Sequence, residues 1–421
     1  MHPIYALVDC NQFYVSCERS FAPHLETKPV GILSNNDGCI VALSPELKKL
    51  GVKRGTPGFK IKEIVKNQKV YLFSSNYELY GDMSARVMNI LSSIVEEIEI
   101  YSIDEAFMLF DSSRDISELL QSTTEIREYI KKATGIPVSI GLGRTKTLAK
   151  VANHLAKKSL SGIMELLNDE TINEVLKYTK IEDIWGIGRQ YTKRLNRFGI
   201  YTALDFVKAP SYLIRKEMSV MGERTQSELK GIPCNELIYS PPATKSIVFS
   251  RSFGKPVATL EELLESVSTY TSSAIKNLRE KGLVAKNIHI FITTNPFKNT
   301  KQYANFAQSS LPDYSAYTPD FIKIACDLLK KIYKKNYLYK KTGVMLTDII
   351  KQDKIHPNLF SQSYGTDKRH LVMKAIDKIN NKYGKEKIYF ASNGVENSWK
   401  MKREMNSPRY TTRWEELMKV K

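Results

Sequence analysis

Two adjacent carboxylates, Asp104 and Glu105, interrupt an otherwise apolar segment of the chain. Ile98-Glu99-Ile100 precedes them, and Met108-Leu109-Phe110 follows. The alternation and the aromatic neighbours predict two short strands joined at the acidic pair. Acids inside a buried hairpin are costly unless a cation compensates them, and Mg²⁺ binds carboxylate, water and phosphate oxygens. A tight turn whose acids face water explains the same residues, so the hairpin alone leaves both interpretations open.

A third carboxylate, Asp9, ends another predicted strand. Ile4–Val8 is an apolar run too short for a helix. The residues that follow Asp9 continue with helical spacing, so Asp9 is also a candidate N-cap. An acid at the end of a core strand is common both at reactive sites and in simple turns.

The order of predicted elements links these three acids. Strands at 4–8, on either side of Asp104-Glu105 and at 136–142, with helices at 77–96 and 115–134, give the order β-α-β-β-α-β. This is the ferredoxin-like order, with residues 28–75 inserted near its start. The first strand and the hairpin strands are neighbours in that fold, so we expect Asp9 to meet Asp104 and Glu105 on one face. A basic helix is predicted at 146–158.

The charge of the chain points to a polyanionic partner. Over 421 residues, Lys and Arg number 63 and Asp and Glu 45, a formal net charge of +18. Such an excess favours nucleic acid as the partner, and the length suits about three domains. The five cysteines form no CxxC pair and have no histidine at ligand spacing, which predicts reduced thiols in a cytosolic protein. No apolar stretch approaches the length of a membrane span.

Residues 171–235 are predicted to form a small helical module. Its centre is Ile184-Trp185-Gly186-Ile187-Gly188, followed by Arg189 and three further basic residues at 193, 194 and 197. Helices on both sides of such a glycine pair form a helix-hairpin-helix, in which bare backbone N–H groups can bind a phosphate.

A second α+β domain is predicted after the stiff linker Ser240–Ala243. It has strands at 246–253, 287–293 and 342–350 and helices at 259–282 and 319–335, the first capped by Thr259. Residues 243–350 contain 16 Lys and Arg against 8 Asp and Glu, which predicts a basic face. The pattern then weakens, with a helix predicted at 367–382. The basic end, with the exposed-looking Trp399 and Trp414, fits a docking tail or a structured cap.

Assembled in order, these residues resemble the Y-family translesion DNA polymerases, and within them the UmuC-like branch. The blocks that carry the resemblance span nearly the whole chain: Asp9–Tyr14, Ser34–Cys39, Phe73–Tyr80, Ile100–Phe107, Thr145–Lys150, Trp185–Gly188, Ser250–Gly254 and Ser407–Arg413.

The resemblance implies an α+β multidomain, right-hand polymerase. Its expected parts are a ferredoxin-like palm (1–10 and 76–165), small fingers (11–75), a helical thumb with the helix-hairpin-helix (166–235), an α+β little finger (243–350) and a C-terminal tail with clamp- and partner-binding segments (351–421).

The resemblance also implies two-metal catalysis. Asp9, Asp104 and Glu105 would be the catalytic ligands of two Mg²⁺ ions, with the backbone carbonyl of Cys10 as a further ligand. Two ions would activate the primer 3′-hydroxyl and stabilise charge on the transferring phosphoryl group and the pyrophosphate.

Nucleotide and DNA contacts follow in the same way. Tyr14, beside Phe13, matches the steric gate whose ring collides with a 2′-hydroxyl, and Lys157 matches the lysine that reaches the triphosphate. Lys48 stands where many members have Arg, and Pro45 where many have Tyr, so the finger contacts depart from the family pattern. The implied DNA contacts are Gly186, Gly188, Arg189 and Arg251.

The implied substrates are primer-template DNA and dNTPs, used for error-prone translesion synthesis in the SOS response, in the cytoplasm. The implied protein partners are a UmuD′-like dimer, RecA and a sliding clamp. The clamp motif would end in Leu359 and Phe360, with His356 in place of the usual Gln.

Three other functions would explain parts of the same sequence pattern. A DinB-like polymerase would work without accessory subunits. A non-catalytic DNA-binding factor at stalled forks would need only the charge and the helix-hairpin-helix, but it would avoid three acids beside phosphates. A nuclease would also use metals and carboxylates, whereas Tyr14 and the ferredoxin-like palm favour synthesis. No exonuclease-like acidic cluster is apparent, so proofreading is not expected.

Overall fold

The computed structural model describes residues 3–111, 115–240, 242–355, 368–384, 386–395 and 399–418. They fall into two compact units. The first comprises Met1–Ser34, Gly38–Pro241 and Met405–Lys421, and the second comprises Asn35–Asp37 and Pro242–Glu404. In the described ranges no helix combines the length and the apolar character needed to cross a membrane.

Among its described residues, the first unit contains two sheets and ten α-helices. Its strands are β1 (Ile4–Cys10), β2 (Val30–Leu33), β3 (Ile40–Leu43), β4 (Tyr71–Ser74), β5 (Ile98–Ile100), β6 (Glu105–Phe110), β7 (Val138–Gly143) and β8 (Ile163–Leu166). Its helices are α1 (Phe13–Phe21), α2 (Pro45–Lys49), α3 (Lys62–Gln68), α4 (Tyr77–Ile94), α5 (Ile116–Thr134), α6 (Lys146–Ala156), α7 (Asp169–Tyr178), α8 (Arg189–Asn196), α9 (Ala203–Lys208) and α10 (Ser211–Leu229).

The larger sheet of this unit has the strand order β5-β6-β1-β7-β8. All seven residues of β1 are buried, because the strand lies between antiparallel neighbours in the sheet and under helices. Taken along the chain, β1, α4, β5, β6, α5 and β7 have the ferredoxin-like order, and β2, β3 and β4 form a separate small sheet within the insertion. The predicted fold class is confirmed.

The register of β1 and β6 places two acids opposite each other. Asp9 pairs with Glu105 across the two strands. Asp9 is still within β1, and α1 begins only at Phe13, after Gln12 turns the chain with a φ of 44°. The expectation that Asp9 caps this helix is therefore wrong.

Helix α6 lies unusually close to the sheet. A Cβ on Gly141 would stand 2.1 Å from the backbone N of Asn153, and one on Gly143 would stand 2.6 Å from the N of Ala149. Only glycine permits such an approach of helix to strand. The approach brings the lysines of α6, and Lys157 just after it, toward the ends of β1 and β6.

Helices α7 to α10 share an apolar core with α6 and β8, and one buried carboxylate also ties this module to α6. Glu228 accepts hydrogen bonds from the N and Oγ1 of Thr147, at 2.9 and 2.6 Å, and from the N of Cys234 and Asn235, at 3.1 and 2.9 Å. Because a buried carboxylate is stable only when its lone pairs are satisfied, this link fixes the base of the module.

The second unit is an antiparallel sheet covered by helices. Its elements are β9 (Ser246–Val257), α11 (Leu260–Glu280), β10 (Leu283–Thr294), β11 (Ala304–Ser315), α12 (Thr318–Ile332), β12 (Tyr339–Lys351) and α13 (Lys368–Tyr383), with the strand order β11-β10-β12-β9. Thr259 caps α11 as predicted, accepting from the N of Glu262 at 3.3 Å. Strand β11 was not predicted, because it is a polar edge strand that contains Pro312.

The two tryptophans near the end differ in their surroundings. Trp399 is buried in the core of the second unit, where its ring meets Tyr270 edge to face at 5.5 Å. The expectation that it is exposed is therefore wrong. Trp414 is 85% exposed, as expected. The predicted clamp residues Leu359 and Phe360 lie outside the described ranges, as does His356.

Candidate active site

Asp9 and Glu105 form the centre of the site. The carboxylate of Asp9 is almost fully buried, and it accepts a hydrogen bond from Lys157 Nζ at 2.6 Å. Glu105 accepts from Lys150 Nζ at 3.0 Å. Both lysines come from the α6 region, so the close approach of that helix to the sheet supplies the two cations.

The pKa of Asp9 reflects the cost of ionising both carboxyl groups of this pair. The pKa of Asp9 is raised to about 7, first by burial and also by the neighbouring Glu105 carboxyl, although Lys157 opposes both effects. Two carboxylates sharing a site disfavour double ionisation. The pair therefore demands more positive charge than Lys157 and Lys150 provide.

Asp104 stands beside this pair but has a different partner. Its Oδ1 accepts from Ser102 Oγ at 2.6 Å, and its backbone carbonyl accepts from the N of Cys10 at 2.8 Å. The backbones of Asp104 and Cys10 are thus adjacent, and the ligand role of the Cys10 carbonyl stays a prediction. Within the part of the chain that is described, no three Asp, Glu, His or Cys side chains converge as a ready metal cluster.

An aromatic cage surrounds Lys150. Its Nζ lies 4.5 Å from the ring centroid of Tyr101, 5.3 Å from Trp185 and 5.7 Å from Phe107. Cation–π contacts of this kind fix a cation that also pairs with an acid. Trp185 belongs to the predicted helix-hairpin-helix, so the cage joins that motif to Glu105.

Tyr14 lies in a second aromatic group. Its ring stacks on Tyr80, with centroids 4.5 Å apart and 14° between the planes, and meets Tyr77 edge to face at 6.2 Å. The pKa of Tyr14 is raised, first by burial, then by Tyr77 and Asp104, while Arg54 lowers it. Asp104 and Arg54 therefore lie within electrostatic range of the Tyr14 phenol. Phe13, in contrast, is buried in the core.

Basic side chains surround His154, in the last turn of α6. The pKa of His154 is lowered first by burial and then by three nearby ammonium groups, those of Lys158, Lys157 and Lys48. The structure thus brings the predicted finger lysine, Lys48, toward the predicted triphosphate lysine, Lys157. A convergence of ammonium groups beside carboxylates suits a polyphosphate.

The helical module presents the predicted hairpin at its surface. Gly186 is exposed with a φ of 85°, and Gly188 is exposed at the N-cap of α8. A Cβ on either glycine would have no described atom within 4 Å, so internal packing does not explain their lack of a side chain. Arg189 begins α8 and is also exposed.

Arg251 belongs to the second unit. Its guanidinium lies 4.5 Å from the ring centroid of Phe249, and its Nη1 donates to the carbonyl of Ser250 at 2.9 Å. The structure does not place it in the carboxylate site, and its contact with DNA stays a prediction.

Several residues of the site were not singled out from the sequence. The sequence alone suggested no role for four residues of the site, namely Lys150, Glu18, Tyr80 and Ser407. Their partners lie far away in the chain, and residue spacing carries no signal for such contacts.

The fold of the chain is similar to solved structures. A Y-family DNA polymerase chimera, Dbh-Dpo4(243-245)-Dbh, superposes with a TM-score of 0.69 at 21% identity, covering 83% of this chain and 99% of that one. The fold is thus that of a Y-family DNA polymerase.

Sequence comparison narrows this class. Residues 8–154 match the impB/mucB/samB family, residues 244–359 match the C-terminal domain of that family, and residues 370–420 match a domain of unknown function, DUF4113. Protein UmuC of Salmonella typhimurium strain LT2 is 43% identical, covering 99% of this chain and all of its own length. Protein ImpB of Salmonella typhimurium is 38% identical, covering 98% of this chain. The chain belongs to the impB/mucB/samB family.

Proposed function

We propose that this chain is the UmuC-like catalytic subunit of an error-prone translesion DNA polymerase, which carries out template-directed nucleotidyl transfer past DNA damage in the SOS response. The chain is a DNA-directed DNA polymerase of the Y-family class. The observation that carries the proposal is the register pairing of Asp9 with Glu105, beside Asp104, in a sheet of ferredoxin-like order.

Nucleotidyl transfer in this class is metal-dependent, and the residues present fit Mg²⁺. The donors are all hard oxygens, from Asp9, Asp104, Glu105 and the Cys10 carbonyl, which is the ligand type that Mg²⁺ prefers. The raised pKa of Asp9 supports a need for further positive charge beside this buried acid. When bound, two Mg²⁺ ions would supply activation of the primer 3′-hydroxyl and charge stabilisation at the phosphoryl group and pyrophosphate.

The other side chains position the substrates. Lys157, which donates to Asp9, orients the triphosphate by charge together with Lys48 and Arg54. Tyr14 places its ring beneath the sugar and excludes a 2′-hydroxyl. The bare backbone at Gly186 and Gly188, followed by Arg189, holds a DNA phosphate.

The protein partners are proposed from the similarity to UmuC. They are a UmuD′-like dimer, RecA and a sliding clamp, the last bound through Leu359 and Phe360. We place the enzyme in the cytoplasm, which is supported by its five unpaired cysteines, all within the described ranges.

The test is primer extension across an abasic site with Mg²⁺ and dNTPs, comparing wild type with Asp104→Asn. Asn keeps an oxygen that accepts from Ser102, so we expect Asp104→Asn to fold and bind DNA normally but to incorporate no nucleotide. Equal activity in both proteins would remove Asp104 from the site. Parallel loss of activity and DNA binding would make Asp104 structural.

The same reactions are run with and without UmuD′ and activated RecA. Extension that depends on these partners supports the UmuC-like subunit. Full activity of the chain alone would favour a stand-alone, DinB-like polymerase instead.

A further inference from the structure

The end of the chain packs on the first unit, beside the group that contains Tyr14. Met405 and Ser74 form two hydrogen bonds. The N of Ser74 donates to the Met405 carbonyl at 2.8 Å, and the N of Met405 donates to the side-chain Oγ of Ser74 at 3.1 Å. Tyr410 stacks on Phe21 of α1, with centroids 4.8 Å apart and 8° between the planes. Between these two anchors lies Ser407, whose position in the fold is therefore fixed from both sides.

Ser407 takes part in a directional chain of buried hydrogen bonds. Asn76 Nδ2 donates to Ser407 Oγ at 2.9 Å, and Ser407 Oγ donates to Glu18 Oε1 at 2.9 Å. Asn76 also donates to the Pro408 carbonyl at 3.1 Å, which fixes the local backbone. All three side chains, those of Asn76, Ser407 and Glu18, are buried.

The chain of hydrogen bonds ends under Tyr14. The same oxygen of Glu18 accepts from the Tyr80 hydroxyl at 2.7 Å, and the Tyr80 ring is the one on which Tyr14 stacks. Glu18 and Tyr14 are also four residues apart on α1, hence on the same face of that helix. Ser407 is therefore two hydrogen bonds away from the ring that supports Tyr14.

Removing one donor from this arrangement has a definite consequence. Glu18 is only 2% exposed, so water cannot replace a lost hydroxyl at its carboxylate. The carboxylate would shift to recover a partner, and the Tyr80 hydroxyl that it holds would shift with it. Tyr80 is fully buried, so its ring cannot move without moving the ring stacked against it.

We propose that Ser407 is a positioning residue for sugar selection. Through Glu18 and Tyr80, the segment Met405–Tyr410 holds the Tyr14 ring at the depth that separates deoxyribose from ribose. The inference rests on the proposed role of Tyr14 in that selection. It gives a function to the last part of the DUF4113 match, which runs over residues 370–420.

The experiment compares three single variants of the full chain, assayed with its partners on undamaged primer-template. Ser407→Ala removes the hydroxyl, Ser407→Thr keeps it, and Thr412→Ala removes an exposed hydroxyl from the same tail. The readout is the ratio of kcat/KM for a dNTP to kcat/KM for the matching rNTP. We expect Ser407→Ala to lower this ratio about fivefold, the typical net effect of one hydrogen bond, with Ser407→Thr and Thr412→Ala near wild type.

Tyr80→Phe is the second route to the same link, since it keeps the stacked ring and removes only its hydroxyl. It should lower the ratio like Ser407→Ala, and the double variant should be no worse than either single one, because both break one chain of contacts. A merely structural role would lower the melting temperature and leave the ratio unchanged. That result, or full additivity of the two substitutions, overturns the proposal.

The two proposals fail in different ways. If Tyr14→Ala leaves the dNTP-to-rNTP ratio unchanged, the proposed role of Tyr14 is wrong. If Tyr14→Ala changes the ratio and Ser407→Ala does not, only the inference about the tail is wrong. Equilibrium binding of dNTP and rNTP to the DNA complex measures, without turnover, how much of this discrimination arises on binding.

Discussion

The carboxylate cluster and the Tyr14 group are built in opposite ways. Asp9 and Glu105 face each other across adjacent strands, and each has a lysine from the α6 region as its partner. Tyr14 stacks on Tyr80, which is held by Glu18, which is held by Ser407 near the other end of the chain. The first group depends on strand register, and the second on a contact across 389 residues.

This difference separates two requirements of a polymerase. Strand register fixes the carboxylates rigidly, because a slip of one residue would turn every side chain of β1 to the other face. A side-chain relay is adjustable, because each link is one hydrogen bond. We therefore expect substitutions in the first group to abolish the reaction, and substitutions in the second to change which nucleotide is accepted.

Asp9→Asn should have the largest effect. Loss of one charged ligand from the site should lower the rate of incorporation on the order of a thousandfold or more, measured by single-turnover primer extension. Asp82→Asn, which alters an exposed ion pair with Arg86, is the matched control and should keep wild-type activity. If Asp9→Asn stays active, the register pairing has no catalytic meaning and the comparison fails.

Tyr14→Ala should break the other group. Without the ring, discrimination against ribonucleotides should fall on the order of a hundredfold, the loss of a few kcal/mol of steric exclusion, while dNTP incorporation continues. Tyr14→Phe keeps the ring and should keep the discrimination. Competition between dNTP and rNTP in one reaction measures both, and an unchanged preference in Tyr14→Ala would contradict the assignment.

Glu18→Gln should sharpen the comparison through pH. Burial raises the pKa of Glu18 to about 6, from an ordinary 4.5, although hydrogen bonds from Tyr80 and Ser407 oppose this. The folded protein therefore favours the protonated form, so ionisation of Glu18 removes stability as pH rises from about 4.5 through 6. Gln keeps an accepting oxygen and cannot ionise, so Glu18→Gln should gain about 2 kcal/mol in free energy of unfolding at pH 7.5 and nothing at pH 4.

Urea unfolding at several pH values measures this gain. Three titratable groups lie around Glu18: Tyr80, Cys17 and Tyr410. Their pKa values are all raised, so they stay neutral throughout this pH range. A gain that is the same at every pH would show that ionisation of Glu18 is not its cause. The corresponding gain should be absent in Glu78→Gln, whose carboxylate is exposed beside Arg409.

Gly188→Ala should have the smallest effect and should spare both groups. Its φ of −86° suits alanine, and a Cβ there meets no described atom within 4 Å, so stability should not change. The methyl group would nevertheless stand between the backbone and a phosphate, so affinity for primer-template should fall about fivefold. Titration at fixed salt tests this, with the exposed neighbour Gln190→Ala as control, and unchanged affinity would remove the hairpin from the DNA interface.

Much of the sheet could be predicted from the sequence, because its central strands are short, buried, mostly apolar runs. The ferredoxin-like order followed from β1, β6 and β7, and it brought Asp9 to Glu105. Strand β11 escaped because edge strands carry polar residues that read as loop. The helix boundary at Asp9 was wrong because Gln12 adopts a left-handed turn that spacing does not reveal.

The site divides along the same line. Asp104 and Glu105 stand out from apolar neighbours in the sequence, whereas the role of Tyr14 is implied by a block that resembles the family. Lys150 is held by Trp185 from another module, and Ser407 by Asn76 from another part of the chain. Tertiary packing alone decides such contacts, and Trp399 illustrates the same point, since nothing local predicted its burial.

The division of the chain also determines how the two units are tied together. Asn35–Asp37 and Pro242–Glu404 belong to one unit, and the residues on either side belong to the other. The backbone thus passes from unit to unit at four points, instead of through one linker. A protease that cuts once at the linker near residue 241 would therefore release neither unit, because the continuous chain through Glu404 and Met405 still connects them.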